Sequence, residues 1–155
     1  MLPGGGFTFE TKCLLQSLEA ELDFIYLATE FGGVPGECGI PAGEIRRVPS
    51  FASVTRRSKL RSAHAFVRTF AHTVRLLAAR NVDVVLGVGC SHLIPMFLAA
   101  KLLRKKTVFV ETITRADALS STGSIIYKLQ LSSTFVVQWP ELKRMYPGAT
   151  LGAVL

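Results

Sequence analysis

The residues of this sequence that could bind a ligand or carry out a reaction lie in two glycine turns and at one acidic strand end. The first turn, Gly4, Gly5 and Gly6, leads directly into a helical pattern. Glycine lets the backbone approach a ligand closely, and the N-terminus of a following helix presents unpaired amides to an anion. These residues are typical of a phosphate or diphosphate site, although a tight turn without a ligand uses them too. Because Phe9 stands where GxGxxG has its third glycine, a standard NAD site is not indicated.

The second turn lies in GVGCSHLIP, where Gly87 and Gly89 follow the apolar stretch VDVVL. In open α/β folds, ligands collect at the carboxyl ends of parallel strands. His92 stands where the third glycine would be, and it is the only histidine beside a glycine turn. Because imidazole titrates near neutral pH, His92 is a candidate general base. A helix cap or a place in the core would equally explain a histidine here.

The acidic strand end is Glu111, the last residue but one of KTVFVET. Arg115 follows closely, and the small polar group Ser120, Ser121 and Thr122 comes next. A carboxylate, a guanidinium and hydroxyls that converge on one crevice suit a sugar that carries a phosphate. Alternatively, Glu111 is a structural ion-pair partner of Arg115.

Alternating strand and helix patterns must position these residues. The stretches LDFIYLAT, VDVVLGV, KTVFVET and STFVVQW are short, rich in β-branched and aromatic residues and bounded by turn formers, which predicts buried strands. FETKCLLQSLEAE and LIPMFLAAKLLRKK have helical spacing. The alternation predicts a Rossmann-like α/β domain, a parallel sheet flanked by helices, over residues 1–155. The glycine- and proline-rich EFGGVPGECGIPAGE is expected to be a lid or a surface loop.

Charge and hydropathy indicate an anionic and partly apolar environment. Lysine and arginine number 18 against 11 acidic residues, and 49% of the residues are hydrophobic. The mean hydropathy of +0.37 predicts that apolar surface meets a partner chain or a bilayer. From about Ser62 a basic helix is predicted, and such helices lie on anionic lipid or pack conventionally with a solvated polar face. Its apolar face is expected to hold Phe66, Val67, Phe70, Val74 and Leu77, and the preceding Arg56, Arg57, Lys59 and Arg61 favour contact with lipid or phosphate.

Several classes of protein are not indicated. Cys13, Cys38 and Cys90 are odd in number and have no CxxC spacing, so neither a disulfide framework nor a metal site is expected, and a reducing cytosol is the simplest location. The long uncharged run from Val84 to Ala100 contains glycines and a proline, which favours strand, turn and helix over a membrane span. The basic residues lack interleaved stacking aromatics, so no nucleic acid is expected.

The stretch from DVVLGVGCSHLIP through VFVETITRADALSSTG to VVQWPEL and YPGATLGAVL resembles the asparagine-linked glycosylation protein fourteen family. Members resemble the acceptor-binding, N-terminal half of a GT-B glycosyltransferase, while a separate chain binds the UDP-sugar. The resemblance therefore implies a subunit that binds a polyprenyl-diphosphate-linked sugar and forms a heterodimer with a donor-binding subunit. It also implies part of an N-acetylglucosaminyl or related hexosyltransferase that is active only with its partner and has no cofactor. The location expected is cytoplasmic and peripheral, on the inner face of an anionic membrane.

The resemblance also assigns residues. Many members have a histidine after the first glycines, whereas this sequence has Phe7, so the base passes to His92, Glu111 or a partner residue. Only Met1 to Pro3 precede the first turn, so the first strand is expected to be incomplete and membrane contact peripheral. The residues predicted to bind the acceptor or its phosphates are Gly4, Gly5, Gly6, Glu10, Gly87, Gly89, Ser91, Thr112, Arg115, Ser121 and Thr122. The residues predicted at the partner interface are Gln138, Trp139, Pro140, Leu151, Val154 and Leu155.

Two other classes of function remain open from the sequence. A non-catalytic scaffold that recruits and stabilises the transferase at the membrane would need the same interface residues. A standalone nucleotide-binding module would use the same turns, but neither turn has the third glycine and no ribose-binding acid follows.

Overall fold

The computed structural model describes residues 1–2, 6–18, 22–29, 40–48 and 59–153 of the chain. Several predicted features lie outside the described residues: Gly4, Gly5, most of the glycine- and proline-rich loop with Cys38, Arg56, Arg57, the side chains of Lys59 and Arg61, Val154 and Leu155.

Helices and strands alternate along most of the described chain. The helices are α1 (Gly6–Gln16), α2 (Lys59–Ala79), α3 (Leu93–Leu102), α4 (Ser121–Lys128) and α5 (Pro140–Met145). The strands are β1 (Phe24–Ala28), β2 (Gly43–Arg47), β3 (Val84–Val88), β4 (Lys106–Val110), β5 (Thr134–Val137) and β6 (Thr150–Leu151). The four strands predicted from the sequence are thus confirmed as β1, β3, β4 and β5.

All strand pairs are parallel, and the first two residues join two groups of strands. β2 pairs with β1, and β3, β4, β5 and β6 follow one another in a second group. Leu2 forms a parallel bridge to Ala28, and the Met1 backbone nitrogen donates to Leu86 O at 3.2 Å. The segment Met1–Leu2 therefore lies between β1 and β3, and the strand order reverses beside it. This is a doubly wound, Rossmann-like sheet, as predicted.

Aromatic and aliphatic side chains from β4, β5 and α3 form the main core. The ring of Phe109 stacks on Phe135 with centroids 4.9 Å apart and meets the Phe97 ring edge-on at 6.3 Å. α3 buries residues around most of its circumference because it is packed between the sheet and α2. Gly87 lies in β3, where a Cβ would overlap the Leu93 side chain, so this glycine lets α3 pack closely on the sheet.

The predicted apolar face of the amphipathic helix α2 is divided between the core and the surface. The buried residues of the helix are spaced four apart and are mostly small: Ala65, Thr69, Thr73 and Leu77. The larger Phe66, Val67 and Phe70 instead line a surface groove with Leu98 and Leu102 of α3. Among the predicted face residues, only Leu77 is fully within the core. Because the apolar residues of α2 exceed one stripe, the sequence pattern alone did not distinguish the core side from the groove side.

Candidate functional site

The start of α1 lies near the second glycine turn at the point where the strand order reverses. α1 begins at Gly6, directly beyond the Met1–Leu2 segment, and the turn after β3 contains Gly89. Gly6 is exposed, and a Cβ there would meet no described atom within 4 Å. Gly89 has φ +55°, a left-handed conformation that favours glycine. The start of α1 and the Gly89 turn thus lie at the carboxyl ends of the strands, and in such folds the crevice outside these ends is where ligands bind.

Phe7 packs on the second glycine turn. A Cβ on Gly89 would lie 2.6 Å from Phe7 Cε1 and 3.3 Å from Thr112 Cβ. The ring therefore lies directly on the Gly89 backbone, close to Thr112 at the end of β4. Phe7 cannot exchange a proton, so the position after the first glycines supplies packing rather than acid or base.

The turn after β3 carries His92, Ser91 and Cys90. His92 occupies the N-cap position of α3, but its side chain makes no capping hydrogen bond, so the helix-cap interpretation fails. The imidazole is buried, and Ser91 is half-buried in the same turn. Burial raises the pKa of the Cys90 thiol to about 11, which keeps this thiol protonated at neutral pH.

Glu111 is 0% exposed and is bonded to the start of α4. Its Oε2 accepts from the backbone nitrogen and the hydroxyl of Ser120, both at 3.0 Å, and its Oε1 accepts from Thr112 N at 3.0 Å. Burial raises the pKa of this carboxyl, while the hydrogen bonds from Thr112 and Ser120 oppose the rise. A carboxylate enclosed in this way is not positioned to take a proton from a substrate hydroxyl, and its geometry favours a structural role.

Glu10 connects α1 to the ends of two strands. This buried carboxylate accepts from Thr112 Oγ1 at 2.5 Å, from Ile113 N at 3.0 Å and from Gln138 Nε2 at 3.3 Å. The resemblance predicts that Glu10 binds the acceptor or its phosphates, but a carboxylate and a phosphate repel each other. The observed partners are hydrogen-bond donors of this chain, so Glu10 fixes the residues that follow β4 and β5.

Gln138 and Trp139, both predicted at the partner interface, make internal contacts. Gln138 is half-buried, and besides contacting Glu10 its Nε2 donates to Glu111 O at 2.8 Å. Its amide therefore faces the chain interior rather than a partner. Trp139 Nε1 donates to Ile113 O at 2.7 Å, yet 38% of this residue is exposed. Only the ring surface of Trp139 is therefore available to a second protein.

The remaining predicted ligand residues surround this network at the surface. Arg115 is exposed, and its charge opposes the rise that burial causes in the pKa of Glu111, although within the described ranges the two side chains form no direct ion pair. Ser121 is exposed and Thr122 half-buried in the first turn of α4. The N-cap is Ser120, whose Oγ accepts from Gly123 N at 2.9 Å, a role that its place before a short helical pattern could have indicated.

Pro140 and Leu151, which were also predicted at the partner interface, are both exposed. Pro140 begins α5, and Leu151 lies in the edge strand β6 with 48% exposure. Across the described residues, histidine, cysteine and acidic side chains form no group of three or more that could hold a metal ion.

An apolar surface lies on the side of α2 and α3. Val67 is 62% and Leu102 65% exposed, and both line the groove with Phe66, Phe70 and Leu98. The exposed Arg68 and Arg75 lie on the same helix, α2. None of the helices in the described part of the chain has the length and apolarity needed to cross a bilayer. We call the five groove residues the α2–α3 patch.

The parallel sheet, whose strand order reverses beside Met1–Leu2, defines a Rossmann-like domain of the fold found in GT-B glycosyltransferases. MurG of Acinetobacter baumannii, a GT-B enzyme, aligns with 97% of this chain and 42% of its own at a TM-score of 0.67 and 17% sequence identity. At this identity the match concerns the fold alone, and the predicted fold class is confirmed.

The chain belongs to the oligosaccharide biosynthesis protein Alg14-like family, whose model matches residues 44–155. The UDP-N-acetylglucosamine transferase subunit ALG14 of Rattus norvegicus is 35% identical over 109 residues, covering 66% of this chain and 49% of the rat protein. A UDP-N-acetylglucosamine–N-acetylmuramyl-(pentapeptide) pyrophosphoryl-undecaprenol N-acetylglucosamine transferase of Methylobacterium sp. (strain 4-46) is 31% identical over 128 residues, covering 79% of this chain and 34% of that protein. The chain spans about half the length of the rat relative. The family predicted from the sequence is confirmed.

Proposed function

We propose that this chain is the acceptor-binding subunit of a two-chain glycosyltransferase that uses UDP-N-acetylglucosamine or a related UDP-sugar. The observation that carries the proposal is the open N-terminus of α1 at the switch point, in a family whose rat relative is named a transferase subunit. The proposed acceptor is a sugar linked through diphosphate to a polyprenyl lipid.

The diphosphate would bind at the crevice between α1 and the Gly89 turn. Gly6 leaves room for close approach, and the first amides of α1 carry partial positive charge. Arg115, exposed near the same strand ends, supplies a guanidinium for a second phosphate contact. The acceptor sugar would then project toward the cleft formed with the donor-binding subunit.

Transfer requires a base for the acceptor hydroxyl and positive groups for the departing UDP. Phe7 carries no ionisable group, and Glu111 is enclosed by its hydrogen bonds. His92, which is buried in the Gly89 turn, is the remaining candidate base within this chain and would have to be uncovered when substrate or partner binds. A residue of the partner is the other source. The groups that stabilise the leaving UDP belong to the partner in this proposal.

The α2–α3 patch would rest on the inner, cytoplasmic face of an anionic membrane and bring the crevice to its lipid-linked acceptor. Val67 and Leu102 supply exposed apolar surface, and Arg68 and Arg75 lie on α2. Apolar contact and attraction to anionic lipid together bind a peripheral protein. The excess of basic residues, a net charge of +7, favours the same surface.

The partner would dock at the edge of the sheet formed by β6 and the start of α5. Leu151 lies in an edge strand, and Trp139 and Met145, at the two ends of α5, are also exposed. Exposed aromatic and aliphatic residues at one sheet edge are typical of a protein interface.

The test is a transfer assay with the purified chain, a donor-binding subunit of the same family type and a synthetic lipid-diphosphate-linked sugar. Radiolabelled sugar from the UDP-sugar is expected in the lipid fraction only when both proteins are present. Robust transfer by this chain alone would contradict the two-chain proposal.

A non-catalytic scaffold is the second candidate, and the enclosed position of Glu111 is the observation that favours it. A His92→Ala variant and a Gly6→Val variant discriminate between the two functions. If both variants bind the partner and retain full transfer, the chain acts as a scaffold. If transfer falls while partner binding persists, the acceptor-binding proposal is supported.

A further inference from the structure

Both backbone polar groups of Ile113 are bonded, one to α1 and one to the exposed Trp139. The Ile113 N–H donates to Glu10 Oε2 at 3.0 Å, and the Ile113 carbonyl oxygen accepts from Trp139 Nε1 at 2.7 Å. Glu10 and Trp139 are thus connected through the two peptide groups that flank one residue. These three groups come from α1, from the residues after β4 and from the start of α5.

Glu10 also lies close to the crevice. It is in α1, one turn beyond Phe7, whose carbonyl accepts from Thr11 Oγ1 at 2.7 Å. Phe7 packs on Gly89, and Thr112 lies beside both. The Thr112 hydroxyl makes the shortest of the hydrogen bonds described for Glu10, at 2.5 Å. A ligand that moves the first turn of α1 or the Gly89 turn would therefore move atoms bonded to Glu10.

The bonds of Glu10 are of the kind that transmit such a movement. The carboxylate is 5% exposed and accepts from an amide, a hydroxyl and the Gln138 side chain. Hydrogen bonds to a buried charged group are stronger than neutral ones, and loss of the acceptor leaves its buried donors unsatisfied. The carboxylate therefore has a strong preference for one position of the Ile113 backbone.

We propose that Glu10 is a positioning residue that couples the crevice to the exposed ring of Trp139. An anion bound at the crevice changes the position and exposure of the Trp139 ring. By thermodynamic reciprocity, a protein bound at Trp139 changes the affinity of the crevice for that anion. The inference rests on the proposed function for the identity of the two ligands. It predicts that acceptor and donor-binding subunit reinforce each other's binding.

The chain contains a single tryptophan, so its fluorescence reports on Trp139 alone. In the absence of ligand, Glu10→Gln keeps the side-chain volume but replaces one acceptor oxygen with a donor. Quenching of Trp139 by acrylamide is expected to increase by roughly twofold as the ring loosens. Glu141→Gln, which removes an exposed ion pair with Arg144 on the adjoining helix, is the matched control and is expected to leave quenching unchanged. Unchanged quenching in a folded Glu10→Gln protein would overturn the proposal.

The second arm adds inorganic pyrophosphate as the probe, with binding measured by calorimetry. Wild-type protein is expected to bind it and to change its acrylamide quenching, whereas Glu10→Gln binds it with that change lost. Binding without any change of quenching in the wild type overturns the coupling and leaves the proposed acceptor site intact. Absence of binding in the wild type overturns both.

A milder variant guards against loss of folding in Glu10→Gln. Thr112→Val removes a single hydroxyl donor to Glu10 and nearly preserves the side-chain shape. Like Glu10→Gln, it is expected to reduce the pyrophosphate-induced change of Trp139 quenching. A full wild-type response in Thr112→Val, together with a full response in any folded Glu10 variant, would overturn the proposal.

Discussion

Gly123 lies against the carboxylate of Glu111 so closely that a Cβ at this position would overlap Glu111 Oε2. Because Gly123 has no side chain, the buried Glu111 carboxylate can accept from Ser120 N and Ser120 Oγ. The first turn of α4 and the end of β4 therefore fit together only with glycine at this point.

Gly123→Ala is expected to lower the free energy of unfolding by about 1–3 kcal/mol, because the added methyl must displace a bonded, buried carboxylate. Denaturant unfolding followed by circular dichroism measures the change. Gly6→Ala is the matched control in another helix, where the added methyl meets no described atom within 4 Å and the change should stay within about 1 kcal/mol. Equal effects of the two substitutions would show that the Glu111 contact is unimportant.

The stability of the protein should carry a pH dependence from Glu111. Burial raises the pKa of this carboxyl in the folded state above its ordinary value of 4.5, so the folded state binds more protons than the unfolded state between the two values. Its stabilising contribution is fully present below 4.5 and is lost as the pH rises through the folded pKa. Because glutamine does not titrate, the advantage in stability of the wild type over Glu111→Gln should shrink across this window. Urea unfolding at a series of pH values tests the sign, and an advantage that grows with pH would contradict it.

Gly89→Ala should be destabilising for two separable reasons. The left-handed φ of +55° costs a non-glycine residue about 1–2 kcal/mol, and the new methyl would also overlap the Phe7 ring. Removing the ring in the double variant Gly89→Ala, Phe7→Ala should restore the stability lost through steric overlap but not the stability lost through backbone strain. A double-mutant cycle of unfolding free energies measures the coupling, expected at about 0.5–3 kcal/mol. A coupling near zero would mean that the ring does not pack on this turn.

Leu102→Glu in the α2–α3 patch should weaken binding to vesicles that contain anionic phospholipid. The loss is expected to be roughly tenfold or more, since burial of a leucine side chain contributes about 1.5–3 kcal/mol. Met145→Glu adds the same charge at another exposed apolar residue, in α5, and serves as the control. Flotation of the protein with the vesicles measures both. If Met145→Glu weakens binding as much as Leu102→Glu, the patch is not the membrane-facing surface.

The parallel sheet could be predicted because its central strands are uniformly apolar and are separated by turn residues. β3, β4 and β5 follow this pattern, and Phe109 of β4 and Phe135 of β5 lie in the main core. β2 could not be predicted in the same way, since its sequence GEIRR is polar and mostly exposed. Its place is set by pairing with β1, a long-range interaction that local patterns do not encode.

The candidate site was predictable as a set of turns but not as a network. Glycines at strand ends indicate where a ligand could approach, and Phe7, which follows Gly6, does pack on Gly89. The contacts of Glu10 with Ile113 and Gln138 join residues that are more than a hundred positions apart. Neither spacing nor composition indicates such pairs, so Gln138 was expected at a partner interface although its amide bonds inside the chain.

The way in which Met1 and Leu2 connect the two groups of strands has a consequence for how a ligand would act. Leu2 is bonded to β1 through Leu27 O at 2.8 Å, and Met1 N donates to Leu86 O of β3 at 3.2 Å. α1 follows the Met1–Leu2 segment and the Gly89 turn follows β3, so this joint lies between them. A ligand bound by both α1 and the Gly89 turn would bridge the joint between the two groups of strands. Ligand binding would therefore stabilise the sheet against unfolding.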